Sequence, residues 1–299
     1  MGKAFLTIFA LILVGGPCVR AQMPDRTPTQ AEESSRQIRE RQRAQEYFES
    51  MESVLNPDAH LPLPTRPPRT GKIKLSQRDR ELIAMDAADK AEINSFLKLP
   101  ETGFVRLHNS AECPEQSDLI DASAPCPWNV PGKAGFYSFR TQDYSIRFFS
   151  DLQFEGDDLK IAGLYLLGFL TEMEDGTDIR DLGLASPGIR EMAAFEPSVN
   201  AEEVQKQFAI AKNGFRVEDH IYKTALAPAV GKTYALRAIA YRGNAYWKVG
   251  EKKFNPLEKD KRRDVIVVFR VIRKHEDGSI SLLWKKLQEK EAPRLEGDD

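Results

Sequence analysis

Along residues 22–71 polar positions dominate, and the few apolar ones fall at helical spacing. Ile38, Ala44, Phe48, Met51 and Leu55 recur mostly three or four apart, with Arg36, Arg39, Arg41 and Arg43 set among Glu40, Glu46 and Glu49. This pattern predicts a solvated helix with one modest apolar stripe, because sustained heptads are absent. Asn56–Thr70 then carries five prolines in fifteen residues. Proline fixes φ and removes an amide donor, so the segment reads as an extended linker.

From residue 72 the pattern becomes that of a folded body. Ser76 and Asp79 resemble a capping box, and Leu82, Ile83, Met85, Ala87, Ile93, Phe96 and Leu97 give an amphipathic helix that ends before Pro100. The period then changes to that of strands, rich in aromatic and branched residues. Gly103–His108, Gly135–Arg140, Tyr144–Phe149, Leu159–Thr171 and Ile179–Leu184 are the strands expected in the first half. Gly156-Asp157-Asp158 and Asp175-Gly176 read as tight turns.

A helix is expected after Asn200, with Asn200 as its N-cap and Glu203 completing a capping box. Val204, Phe208 and either Ile210 or Ala211 face inward, and Gly214 closes the end. Thr233–Arg242, Asp264–Lys274 and Ser279–Leu287 follow as strands, the last two joined through His275-Glu276-Asp277-Gly278. Few helices separate the strands, so the expected class is α+β: a mainly antiparallel β body with a few amphipathic helices. The domain reading is 1–21 signal peptide, 22–71 arm and linker, and 72–299 body, the last divisible into lobes near 72–190 and 191–290.

The N-terminus adds an address. Lys3 precedes an apolar run from Ala4 to Val14, then Gly15, Gly16 and Pro17 break any helix, and Val19 and Ala21 stand at the small-residue positions before a cut. The run is too short to span a bilayer and suits a signal peptide, so the chain is read as exported, periplasmic or secreted. Pro17 is a poor neighbour for a lipid-modified Cys18. Loss of Lys3 and Arg20 leaves 41 bases against 45 acids, a net charge of −4.

Cys113 and Cys126 are then the remaining cysteines, 13 positions apart. In an oxidising compartment they are expected to pair, closing a loop worth ~3 kcal/mol. A zinc site with His108 is disfavoured by the lack of a close cysteine pair.

Composition excludes some functions. The mature chain is acidic, which argues against a nucleic-acid partner, and no apolar run in the body reaches membrane-spanning length. Gly231-Lys232-Thr233 lacks the preceding glycine of a phosphate loop, since Leu226 stands there, and a strand pattern follows it. Ser186 lacks the glycine spacing of a nucleophile elbow. No histidine pair has metal spacing, and no motif asks for a metal or cofactor.

Three weaker candidates remain. Glu172 and Glu174 lie on one face if their strand continues, as an acid–base pair would require. His220, beside Glu218 and Asp219, is a candidate base. Lys248–Arg263 carries seven bases and three acids, making Lys252, Lys253, Arg262 and Arg263 a candidate anion-binding patch.

With no complete catalytic motif, the preferred function is a non-catalytic binding or envelope-associated protein that holds a protein or polyanionic ligand. The alternatives are an exported hydrolase using Glu172, Glu174 and His220, and an assembly or adaptor protein that docks through its N-terminal helix.

Overall fold

The computed structural model describes residues 93–110, 135–145, 147–243, 247–249 and 252–296, with single positions between 77 and 90. The expected signal peptide, helical arm, proline linker and Cys113–Cys126 disulfide lie outside these residues, as do Leu82 and Ile83 of the helix expected at the start of the body. No helix among the described residues is long and apolar enough to cross a membrane.

Fourteen strands and two α-helices follow in order among the described residues. The first six strands are β1 (Thr102–Leu107), β2 (Phe136–Ser138), β3 (Asp143–Tyr144), β4 (Leu152–Glu155), β5 (Asp158–Ile161) and β6 (Leu166–Glu172). Helices α1 (Ile189–Ala194) and α2 (Ala201–Asn213) come next. Then follow β7 (Phe215–Val217), β8 (His220–Tyr222), β9 (Ala225–Leu226), β10 (Thr233–Ala240), β11 (Trp247–Val249), β12 (Lys252–Phe254), β13 (Arg263–Lys274) and β14 (Ile280–Glu291). The body is therefore β-rich, antiparallel and sparing in helix.

Five strands form a central sheet in the order β1-β14-β13-β10-β6, and five more form a second sheet in the order β3-β2-β4-β5-β9. The central sheet takes β1 and β6 from before residue 190 and β10, β13 and β14 from after it. Side chains alternate along a strand, and β10 is buried on both faces. Its Tyr234, Leu236, Ala238 and Ala240 pack with Val265, Val267, Phe269, Leu282 and Trp284 against Tyr137, Phe139, Leu152, Phe154 and Leu159 of the second sheet region. Aromatic edges knit this core, with Phe139 and Trp284 centroids 5.8 Å apart.

The opposite face of the central sheet is covered by irregular chain and helices. Ile179, Leu182, Ile189 and Met192 pack over Phe169, Ala235, Ile266, Val268 and Leu283, joined by Ile93 and Phe96. Val204 and Ala211 of α2 cover Leu167 and Ile239.

Helix α2 forms where expected. The Asn200 side chain accepts from the amides of Glu202 and Glu203, and Gly214, with φ 77°, ends the helix. Ala211 is the inward residue, while Ile210 is 52% exposed. The Glu203 half of the capping box is replaced, because the Asn200 amide donates to the Ser198 hydroxyl at 3.2 Å.

Three expected strands are corrected. Leu159–Thr171 is two strands in two different sheets, separated at Ala162–Tyr165. Gly163 turns the chain between them at φ 144°, with the Ser150 carbonyl only 2.6 Å from where a Cβ would stand. Tyr144–Phe149 stops pairing at Tyr144 and becomes a 3₁₀ turn over Arg147–Phe149, since the carbonyls of Phe149 and Ser150 are taken by the Arg140 guanidinium. Ile179–Leu184 is a series of turns, with Asp181 bonded to Asp178 and Ser186 to Gly183. Its buried residues, Ile179 and Leu182, are three apart and so share no strand face. Helix α1, β4 and the β7–β8 hairpin have no counterpart among the strands and helices expected from the sequence.

Candidate functional site

The charged run Asp260-Lys261-Arg262-Arg263-Asp264 alternates between interior and surface. The side chains of Asp260, Arg262 and Asp264 are 1%, 6% and 1% exposed. Those of Lys261 and Arg263 are 43% and 40% exposed. The inward three tie the layers together, and the outward two line a groove.

Two arginines meet on Asp260 from different parts of the chain. Arg140 Nη1 and Arg262 Nη1 both donate to Asp260 Oδ2, at 2.5 Å and 2.7 Å. Every donor direction of Arg140 is used: Nε on Asp151, Nη1 on Asp260 and the Lys261 carbonyl, and Nη2 on the carbonyls of Phe149 and Ser150. Arg262 spends its others on the carbonyls of Tyr241, Leu164 and Tyr165. Burial pulls the Arg262 guanidinium down to about 10, with Asp260 opposing the shift. Asp151 is pushed up by burial against the pull of Arg140. Buried charges are tolerated when paired and hydrogen-bonded in this way.

Above this layer lies a groove of about 650 Å³, lined by Glu101, Gln142, Lys261, Arg263 and residues 286–291 of β14. Lys261, Arg263, Lys286 and Lys290 face Glu101, Glu289 and Glu291, an excess of one positive charge. Glu289 sits at the centre: Lys261 is 2.6 Å from Oε1, Arg263 3.6 Å from the same oxygen, and Lys286 2.6 Å from Oε2. Burial alone would raise the Glu289 carboxyl, but hydrogen bonds from Lys261 and Lys286 hold it below the usual range. Lys286 also reaches Glu101 at 2.8 Å, and its ammonium is raised by both carboxylates in spite of burial.

The rim is conformationally unusual. Glu101 and Gln142 both adopt φ 56°, and the Gln142 amide donates to Glu101 at 3.1 Å. Left-handed backbone at non-glycine residues costs free energy and tends to gather at functional sites.

The residues singled out from the sequence fall in several places. Arg262 is in the interior network and Arg263 lines the groove. Lys252 and Lys253 lie on β12, paired with β11. Glu172 and Glu174 are exposed, and Lys232 bridges Glu172 to Asp175, with 2.9 Å to Glu172. His220 is buried on β8 with its ring against Gly188, and no hydrogen bond or ion pair among the described residues joins it to Glu172 or Glu174. No group of three or more metal-ligating side chains occurs among the described residues.

Sequence reasoning missed Arg140, Asp151, Asp260, Lys261, Lys286 and Glu289. A signal existed in Lys285–Glu291, where a strand pattern continues in charged residues beyond Leu287. A serine–histidine contact was also missed: His275 Nε2 lies 2.8 Å from the Ser281 hydroxyl. That is nucleophile–base spacing, but Ser281 is 2% exposed and paired within the sheet, so it acts as a hairpin fastener. Comparison with protein-family models, with curated proteins and with solved structures gave no match.

Proposed function

We propose that this is an exported, non-catalytic binding protein that holds an anionic, envelope-type ligand in the groove beside β14. The observation that carries the reading is Glu289, a carboxylate gripped by Lys261, Arg263 and Lys286 in an open, positively biased groove. Three cations converging on one carboxylate form a site that suits an anion, and a polyanionic ligand can replace Glu289 by supplying its own oxygens. The groove is open and mainly polar, which suits extended polyanions better than small neutral molecules. Lys252 and Lys253 of β12 belong to the anion-binding proposal on the strength of the basic sequence around them.

The test is retention of the mature protein on a heparin column, with salt elution as the readout. Reversing Arg263 and Lys290 together to glutamate is expected to move elution to markedly lower salt, because each cation contributes to counterion release. Glu289→Gln is expected to move it the other way. Unchanged elution in both variants overturns the reading.

A further inference from the structure

Strand β14 outruns its neighbour on one side. β1 pairs with it only from Ile280 to Lys285, and a last bond runs from the Lys286 amide to the Glu101 carbonyl at 2.8 Å. On the other side β13 continues beside it to Glu291. Three features take the chain before β1 off the line of the sheet. Pro100 has no amide to donate, Glu101 turns at φ 56°, and the Thr102 hydroxyl donates to the carbonyls of Phe96 and Leu99 at 3.1 Å and 2.8 Å. Phe96 itself is buried with Ile266, Val268 and Leu283, on the sheet face turned away from the second sheet. Among the described residues, β14 beyond Lys286 therefore has β13 as its only strand partner, and the groove of about 650 Å³ lies beside it.

In an antiparallel ladder alternate residues bond to each neighbour, so this stretch of β14 also turns amides and carbonyls away from β13. Such an edge is a template for another extended chain. Charged side chains along an edge deter indiscriminate pairing, and here their sign selects the partner. Lys261 and Arg263 are 43% and 40% exposed. Glu289 shows what they accept: a carboxylate on an extended strand, met by Lys261 and Lys286 at 2.6 Å each. An acidic peptide supplies such carboxylates together with a backbone that completes the ladder. A polysaccharide supplies the charge without that backbone.

Resting on the anion-binding reading of the groove and narrowing its ligand, we propose that an extended acidic segment of a partner polypeptide adds to the edge of β14 beside residues 287–291. The added strand runs antiparallel to β14 and extends the line of β1 past Glu101. Acidic residues at alternate positions share one face and come within reach of the cations that hold Glu289.

Fluorescence anisotropy of the mature protein with a dye-labelled, terminally blocked octapeptide of alternating threonine and glutamate tests the proposal. Two isomers of the peptide, N-methylated on every threonine amide or on every glutamate amide, carry equal charge and lose the donors of opposite edges. Once direction and acidic face are fixed, only one edge can meet β14. Saturable binding of the parent is expected, with one isomer binding like the parent and the other weakened about tenfold or more by loss of its ladder bonds. The threonine–lysine octapeptide is expected not to bind. No binding of the parent, or equal affinity of the two isomers, overturns the proposal. If heparin elution still shifts with Arg263 and Lys290, the groove stands as an anion site and strand pairing alone is lost. Self-association of the protein that persists at saturating peptide, read by sedimentation, assigns the edge to a second copy and also overturns the proposal.

Discussion

Arg237 and Asp264 lie on neighbouring strands of the central sheet and meet along two parallel hydrogen bonds, Nε to Oδ1 at 3.0 Å and Nη2 to Oδ2 at 2.7 Å. The remaining nitrogen of Arg237 donates to the carbonyls of Met192 and Phe195, both at 2.6 Å, and so closes the C-terminal end of α1. One buried pair thus joins β10, β13 and the helix above them. Removing the carboxylate alone leaves an uncompensated buried guanidinium, so Asp264→Ala is expected to cost about 3–5 kcal/mol. Urea denaturation checks this, and a loss under about 1 kcal/mol would contradict the assigned role.

Gly103 packs so closely on the indole of Trp284 that a Cβ would overlap it. Trp284 is 2% exposed and wedged among Tyr137 and Phe139, so it has little room to give. Gly103→Ala is expected to destabilise by about 1–3 kcal/mol through overpacking. At Gly156, with φ 63° and open space around it, alanine meets only backbone strain, and thermal unfolding should show a smaller loss of about 1 kcal/mol.

The helix cap separates two neighbouring side chains. Asn200→Ala is expected to cost about 1 kcal/mol, since its oxygen accepts from two otherwise unbonded amides. Glu203→Ala should cost only a few tenths of a kcal/mol, as Glu203 makes an exposed pair with Lys206 and does not reach back to the cap. Paired denaturation curves distinguish them.

Acid sensitivity has one identifiable source in the β13–β14 turn. Partial burial raises the Asp277 carboxyl, but the Ser279 hydroxyl and amide, with Arg106, lower it to about 2. A folded value below the unfolded one means the contribution is complete above the ordinary aspartate range, near 4, and is lost as pH falls toward 2. The stability difference between wild type and Asp277→Asn should therefore be constant above about pH 5 and shrink below pH 4. Denaturation midpoints across that range supply the check.

The proposal that the chain is exported predicts that Cys113 and Cys126 are disulfide-bonded, with reduction lowering stability by about 3 kcal/mol. Alkylation without reductant, read by mass spectrometry, gives the thiol count; two modified thiols would show the bridge is absent.

Much of the fold was legible where the signal was local. The β13–β14 hairpin announced itself through Asp277-Gly278, β10 through its apolar run, and α2 through Asn200 and Gly214. The break between β5 and β6 was not legible, because a continuous apolar stretch looks alike whether it stays in one sheet or crosses to another. Arg263 alone of the groove lining was singled out beforehand, since the other cations become a site only when the end of β14 is set beside Glu101 and Gln142.

By itself the sequence determined the class of the body and the positions of its strongest turns and caps. These depend on spacing, turn chemistry and apolar period, all of which act within a few residues. Tertiary structure decided the fate of the charges. Arg262 reads from the sequence as part of an anion-binding patch, and nothing in the local pattern marks Asp260 or Asp264 as buried, yet all three are interior. A buried charge needs partners, and those partners, Arg140 and Arg237, come from 120 and 27 residues away in the chain. Only the folding of the loop after β2 and of β10 onto the start of β13 brings them within hydrogen-bonding distance.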